Sequence, residues 1–299
     1  MGQEIMRIAF LWDGITQHKG KRFEDGLYLA LKRLEEDHEI GYFEPLDRYR
    51  IDLFKPDVLL FWGALCENCV QEVIQYPYKK AICFAGGPID EKNTNGWDLY
   101  FTESTINEAE LRVLGKPYMR AFGINERIFT PKLAEKKYDA IFWGAFAKWK
   151  RHDLFAMSSL EGGLAIGQHQ DHEPECYEIC HQMGVKVMEE QTRDKIIDLI
   201  RQSHCALNTS DFWGGGQRMT LEAMACGIPP IVMSDSPKNC EYVEESGYGI
   251  ICNPEINEIK EAIEKAKKIK GFKGHNYIHS KWTSKHYADN LIKGLKQIV

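Results

Sequence analysis

The sequence predicts an α/β protein of two Rossmann-like, doubly wound domains facing a cleft, and three observations predict it. Short apolar runs alternate with amphipathic helical segments along the chain, the pattern of parallel strands joined by crossover helices. A chain of 299 residues, 43% hydrophobic and 11% aromatic, is long enough for two domains and apolar enough for two cores. Finally, Asn208 to Asp235 reads as strand, glycine loop, helix, strand, the unit such domains repeat.

In order, Arg7–Trp12 is a first apolar strand ended by Asp13-Gly14, with His18 and Gly20 in the loop beyond. Phe23, Leu27, Ala30, Leu31 and Leu34 recur at helical spacing. His38–Phe43, Asp57–Trp62, Lys80–Phe84 (ending at Gly86-Gly87-Pro88) and Leu99–Thr102 are the next strands. Ligands of parallel sheets bind beyond the carboxyl ends of strands, so Asp13, Gly14, Trp62, Gly63, Gly86, Gly87 and Glu103 are expected along one wall of the cleft; the alternative for any one of them is a turn residue only. Pro131–Lys137 is polar and breaks the pattern like a linker, which puts the first domain at 1–131.

The second domain, 132–280, restarts with the strand Tyr138–Trp143, then Gly144 and the basic run Lys148-Trp149-Lys150-Arg151 entering a helix. Strands at Gly163–Gly167 and Val185–Met188 and a helix from Thr192 to Ser203, capped by Thr192, follow. The apolar run His204–Leu207 leads to Gly214-Gly215-Gly216. Met219, Leu221, Ala223, Met224 and Ala225 then make an apolar helix that stops at Gly227. Strands at Ile231–Ser234 and Gly249–Cys252 flank a helix around Asn239–Glu244. Asn257–Lys270 is a lysine-rich helix whose alternating Glu and Lys form a solvated face or touch acidic lipid. Tyr277–Val299 reads as one last helix, with Trp282, Tyr287, Leu291 and Leu295 along a face.

A net charge of −6 argues against a general nucleic-acid binder, which needs a basic face to displace counterions. No apolar run approaches bilayer length, and the segment around Glu4 and Arg7 lacks the pattern of a signal peptide, so a soluble, cytoplasmic protein is expected. Nine scattered cysteines fit a reducing compartment. Cys66-x-x-Cys69 lacks a second ligand pair; His169, Asp171, His172, Cys176, Cys180 and His181 read as a zinc-type group or as a solvated loop leading into a helix.

Glycines before a helix let backbone N–H groups approach a ligand, and the helix amino end favours negative charge, so the guest expected there is a phosphate. The run Leu221-Glu222-Ala223-Met224-Ala225-Cys226-Gly227-Ile228-Pro229 resembles the signature of retaining nucleotide-sugar glycosyltransferases of family 4, which have the GT-B fold. Ala121–Pro131 is similar to the family's closing motif for its first domain, and Gly144 with Lys150 six residues on resembles its glycine and diphosphate-gripping lysine. The resemblance implies that Glu222 holds the nucleotide ribose. The family's first Glu falls on Gly214 here, so either Asp211 takes its place as the sugar-reading carboxylate or the sugar is gripped only by backbone groups of Gly214–Gln217. Ala145 stands where the family has Arg, so Lys148, Arg151 or Arg218 supplies that charge.

The resemblance therefore implies Lys150, Asp211 and Glu222 as catalytic residues. Donor contacts fall to Gly14, Gly144, Lys148, Arg151, Gly214, Gly215, Gly216, Gln217, Arg218 and Thr220. Asp13, His18, Trp62, Gly86, Gly87 and Glu103 lie on the acceptor side. It implies transfer from a nucleotide-diphosphate sugar to a carbohydrate or other hydroxyl acceptor with retention, no cofactor and no metal, and residues 281–299 returning to the first domain. A nucleotide-sugar epimerase of GT-B shape and a non-catalytic sugar-nucleotide binder are the alternatives.

Overall fold

The computed structural model describes residues 5–12, 26–62, 67–84, 89, 95–168, 173–212 and 217–299. The chain divides into two compact units, Met1–Asn125 with Trp282–Val299, and Glu126–Lys281.

The first unit runs β1 (Arg7–Leu11), α1 (Gly26–Leu34), β2 (Glu39–Phe43), α2 (Arg48–Phe54), β3 (Val58–Trp62), α3 (Glu67–Val73), β4 (Lys79–Cys83), β5 (Leu99–Thr102), α4 (Thr105–Val113) and β6 (Tyr118–Arg120). Its six strands are parallel in the order β2-β1-β3-β4-β5-β6, so the order reverses between β1 and β3. The apolar runs become strands covered on both faces: Val58 to Phe61 are fully buried. α1 turns Leu27, Ala30, Leu31 and Leu34 inward, as their spacing requires. Phe61 stacks on Trp97 at 5.5 Å and Phe84 on Tyr100 at 5.9 Å, joining strand faces into one core. The edge strand β6 carries no sequence signal, being three residues, Tyr-Met-Arg, directly after Pro117.

The second unit runs β7 (Tyr138–Ala145), a 3-10 turn (Lys148–Lys150), α5 (His152–Ser159), a second 3-10 turn (Leu160–Gly162), β8 (Gly163–Gln168), α6 (Pro174–Gln182), β9 (Lys186–Met188), α7 (Arg193–Arg201), β10 (Ser203–Asn208), α8 (Gln217–Ala225), β11 (Pro230–Met233), α9 (Pro237–Ser246), β12 (Ile250–Cys252), α10 (Ile256–Ala266) and α11 (Lys273–Lys281). Its six parallel strands take the order β12-β11-β10-β7-β8-β9, reversing between β7 and β10. Such a reversal opens a crevice at the carboxyl ends of the two strands. Every residue of α8 except Arg218 is buried, the polar Gln217, Thr220 and Glu222 included. It ends at Gly227, whose φ of +73° suits a residue without a Cβ.

The single last helix expected over Tyr277–Val299 is two. α11 stops at Lys281, and α12 (Ser284–Ile298) begins anew with Thr283 as its cap, its hydroxyl accepting from the His286 N–H at 3.3 Å. The break falls where the chain rejoins the first unit. Ile124 donates to the Trp282 carbonyl at 2.9 Å, and Ile124 and Thr283 form a parallel bridge. α12 then packs on α1 and β5, burying Tyr287, Leu291 and Leu295. The basic run is likewise not a helix start. Lys148–Lys150 form a 3-10 turn, Arg151 adopts a left-handed φ of +49°, and α5 begins after it.

Candidate active site

In the second unit, the described residues that sequence reasoning singles out lie at the end of β7 and in the turn after it, in the segment after β10, and on α8. Gly144 lies near the carboxyl end of β7 with φ +147°, a conformation that side chains rarely adopt, and is still paired with Gly167 of β8. The 3-10 turn that follows brings Lys150 against the segment leaving β10: the Lys150 carbonyl accepts from the Thr209 hydroxyl at 2.6 Å, and the Trp149 carbonyl accepts from the Asp211 N–H at 3.0 Å.

Lys150 is half-buried by surface, yet protein crowds it on all sides. Burial pushes its ammonium down to about 8, with the nearby Asp211 carboxylate pulling the other way. Lys150 and Asp211 thus share one electrostatic environment. Lys148, by contrast, is exposed, its ammonium 3.4 Å from Glu175 and its backbone N–H donating to Glu173.

Arg151 is committed elsewhere. Its guanidinium forks onto Asp235 at 2.6 and 2.8 Å and donates to the carbonyls of Thr209 at 2.6 Å and Ser210 at 3.1 Å. It clasps the ends of β10 and β11 together, and Arg218 on α8 is half-buried. Arg151→Lys keeps the charge and loses the fork. Thermal unfolding is therefore expected to show it destabilised by roughly 1–2 kcal/mol, with little further loss when Asp235→Asn is added; fully additive losses would mean that the pair does not act as one clasp.

Glu222 is 2% exposed, in the second turn of α8. The Trp143 indole N–H donates to one carboxylate oxygen at 2.8 Å, and the Arg193 guanidinium stands 3.6 Å from the other. Thr220 is fully buried, and a polar net fixes it: Asn208 Nδ2 donates to the Thr220 hydroxyl and to Asn239 Oδ1, both at 3.1 Å, and the Thr220 hydroxyl donates to Asn239 Oδ1 at 2.9 Å. The Ser210 hydroxyl donates back to Asn208 at 2.7 Å. This net ties β10, α8 and α9 together behind the crevice. Gln217, 1% exposed, opens α8, and its amide nitrogen has no hydrogen-bond partner among the described residues. Gly214, Gly215 and Gly216 lie outside the described residues.

Sequence reasoning missed several contributors. His152, 1% exposed, stacks on Phe146 at 4.3 Å, and its Nε2–H donates to the Ala145 carbonyl at 3.3 Å; burial pushes it down to about 4, so it is neutral near pH 7. Lys238, 1% exposed, holds its ammonium 5.8 Å from the Phe212 ring centre. Trp143, Arg193 and Asp235 bear the polar anchors just described. Trp143 directly before Gly144 and Asp235 directly after an apolar run were the available signals.

In the first unit, Trp12 and Trp62 meet edge to face at 5.5 Å at the carboxyl ends of β1 and β3, where the strand order reverses. Glu103, 8% exposed, follows β5. Asp13, Gly14, His18, Gly86 and Gly87 lie outside the described residues. So do His169, Asp171 and His172 of the expected His/Cys group, and Cys66. Cys176 and Cys180 are buried on α6, where burial raises their thiols to about 11 and 12. Among the described residues no group of three or more His, Cys, Asp or Glu side chains is placed to hold a metal ion, and no helix is long and apolar enough to cross a membrane.

Residues 165–279 match the family model described as "Glycosyl transferases group 1". Several solved structures share the fold across nearly their whole length. Sucrose-phosphate synthase from Thermosynechococcus elongatus superposes with a TM-score of 0.75 at 13% identity, covering 98% of each chain. HepE of Anabaena, solved in complex with UDP, gives 0.73 at 12% identity, covering 98% of this chain and 100% of that one. AviGT4, a glycosyltransferase involved in avilamycin A biosynthesis, gives 0.69 at 15% identity, covering 98% of each. No curated protein sequence matches the chain. The two parallel six-stranded sheets with their helices are those of GT-B glycosyltransferase structures, and the fold is this two-domain α/β fold.

Proposed function

We propose that the protein transfers a glycosyl group from a nucleoside-diphosphate sugar to a hydroxyl-bearing acceptor, with retention of anomeric configuration. One observation carries the reading. At the strand-order reversal of the second unit, Lys150 follows β7, the Asp211 carboxylate that acts on it follows β10, and Glu222, a buried carboxylate anchored by Trp143, lies on the next helix, α8. The match of residues 165–279 to the glycosyl transferase family model and the UDP complex of a structural neighbour support it.

Breaking the bond from sugar to phosphate leaves an anionic diphosphate, and what must be stabilised is charge appearing on the leaving oxygen. Lys150 supplies the compensating ammonium, and the amino end of α8, reached through Gly214–Gly216, supplies backbone donors. Glu222 accepts from the ribose hydroxyls. Gln217 and Arg218 contact the donor from the first turn of α8, while Thr220 supports that turn from behind. His152 acts through Ala145, holding the carbonyl that shapes the bend after Gly144. No metal is required, because the cations do that work, and a cytoplasmic location suits the buried thiols. In the first unit, Trp62 and Glu103 face the acceptor.

The reading is tested by incubating the protein with a panel of nucleotide sugars, with and without candidate acceptors, and following nucleotide release and the anomeric proton of the product. Acceptor-dependent release with a retained anomer is the expected result. Interconversion of sugars without acceptor would identify an epimerase, and binding without turnover a non-catalytic binder. On the same panel Asp211→Asn is expected to flatten donor preference by roughly tenfold or more, since a carboxylate aimed at particular hydroxyls is left unpaired by a sugar lacking them. A preference profile identical to the parent's would remove Asp211 from sugar recognition.

A further inference from the structure

The opposite edge of the second sheet carries a cavity that the proposed reaction does not use. It has a volume of about 370 Å³, in the range of small-molecule sites, and lies at the amino ends of β7, β10 and β11. β10 spans Ser203–Asn208, so the cavity stands roughly 20 Å along the strand from the crevice at the carboxyl ends, at about 3.3 Å per residue. Its floor is apolar, with Cys226, Ile228, Pro229, Ala266 and Ile269, while Lys132, Lys136, Lys267 and Lys270 stand around it.

The charges in this ring do not cancel. Asp139 and Glu264 both pair with Lys267, at 2.9 and 2.7 Å. Lys132, Lys136 and Lys270 have no acidic partner among the described residues. Lys136 donates to the Arg201 and Ser203 carbonyls at 2.9 and 2.7 Å, which fixes its ammonium over the cavity and leaves a third N–H unassigned. Lys270 donates to the Lys267 carbonyl at 3.0 Å. Burial first, and the Lys270 charge second, push the Lys136 ammonium below its ordinary value.

The wall is held rather than loose. Arg201 donates to the Thr130 carbonyl at 2.8 and 3.0 Å and to its hydroxyl at 3.0 Å, pinning the segment that leads into Pro131–Ala134. Two large apolar side chains of the lining stand out into solvent, Leu133 at 98% and Phe272 at 57% exposure. An exposed apolar pair beside lysines without acidic partners suits a ligand with an anionic end and an apolar body.

We propose that this cavity is a second ligand site, which binds a phosphate group carried on an apolar body. The phosphate sits among Lys132, Lys136 and Lys270, and the apolar part lies against Leu133, Ile269 and Phe272. Lysine ammoniums act as point charges toward a phosphate, and three of them balance its charge of up to two. The same chemistry is offered by a soluble phosphate ester and by the headgroup of an anionic lipid. The site is separate from the donor crevice and does not depend on the function proposed above.

The test uses the full chain at low and moderate salt, with hexyl phosphate, hexanoate and inorganic phosphate as soluble probes in calorimetry. Vesicles of phosphatidylcholine with and without phosphatidylglycerol are examined by sedimentation. Hexyl phosphate is expected to bind roughly tenfold or more tightly than either other soluble probe, with affinity falling as salt rises. The double variant Lys132→Glu, Lys270→Glu is expected to lose that binding while keeping its melting temperature and its affinity for nucleotide, and Phe272→Ser to erase the advantage of the hexyl chain. Capture on vesicles only when phosphatidylglycerol is present, lost in the double variant, assigns the phosphate to a lipid; soluble binding without capture assigns it to a free ester. Binding of hexanoate as tight as hexyl phosphate, binding unchanged in the double variant, or no binding of any probe would overturn the proposal.

Discussion

Replacing Lys150 with alanine is expected to lower the turnover number by roughly a hundredfold or more while changing nucleotide affinity far less. A cation that meets charge appearing on the leaving diphosphate acts mainly on the barrier, and loss of one such preorganised group typically costs a factor of this size. The pH profile makes the assignment specific. Burial holds the Lys150 ammonium at about 8 in the free protein, so the charged form predominates below that pH and is lost above it. The value of kcat/KM should therefore fall as pH rises through about 8. A bound diphosphate stabilises the ammonium, so the fall in kcat should come at higher pH than the fall in kcat/KM. Lys150→Arg, charged throughout, should lack the alkaline fall whatever its absolute rate. An alanine variant with an unchanged turnover number would transfer the role to Lys148 or Arg218.

Removal of the Glu222 carboxylate should weaken nucleotide binding by roughly tenfold to a hundredfold, the scale of a hydrogen bond to a charged group at about 1.5–3 kcal/mol. The geometry adds a second variant. Trp143 N–H holds one carboxylate oxygen at 2.8 Å, so Trp143→Phe leaves the carboxylate in place but removes what aims it. Calorimetric titration of the donor's nucleoside diphosphate should rank the parent above Trp143→Phe and both above Glu222→Ala. Affinity unchanged in Glu222→Ala would remove the residue from the donor site. Loss of folding in that variant would be read against Trp143→Phe, which keeps the charge opposite Arg193.

The strands of both sheets other than β6 were legible because buried parallel strands leave continuous apolar runs such as Val58-Leu59-Leu60-Phe61, and the glycine-bounded helix because Gly227 marks its end. The nearness of Lys150 to Gly144 was legible for the same reason, being local spacing. The partners were not. Arg151 and Asp235 stand 84 positions apart, and Trp143 and Glu222 stand 79 apart. No periodicity encodes such pairs, so Arg151 read as a donor contact without its Asp235 partner in view. Two local features also escaped. The edge strand β6 is too short to alternate, and the break between α11 and α12 was hidden because Trp282, Tyr287, Leu291 and Leu295 keep helical spacing across it, although Thr283 is a good cap.

The return of Trp282–Val299 to the first unit has a temporal consequence. The helix that covers α1 and β5 is encoded after the whole of the second unit, so on the ribosome the second unit emerges complete while the first still lacks one of its walls. Until α12 arrives, the surface that will meet Tyr287, Leu291 and Leu295 stays open to water, and closing it means bringing together segments separated by an already compact body. That body shortens the effective loop, so the entropic cost of closure is smaller than the sequence separation implies. The order of synthesis thus sets the order of completion, the second unit before the first.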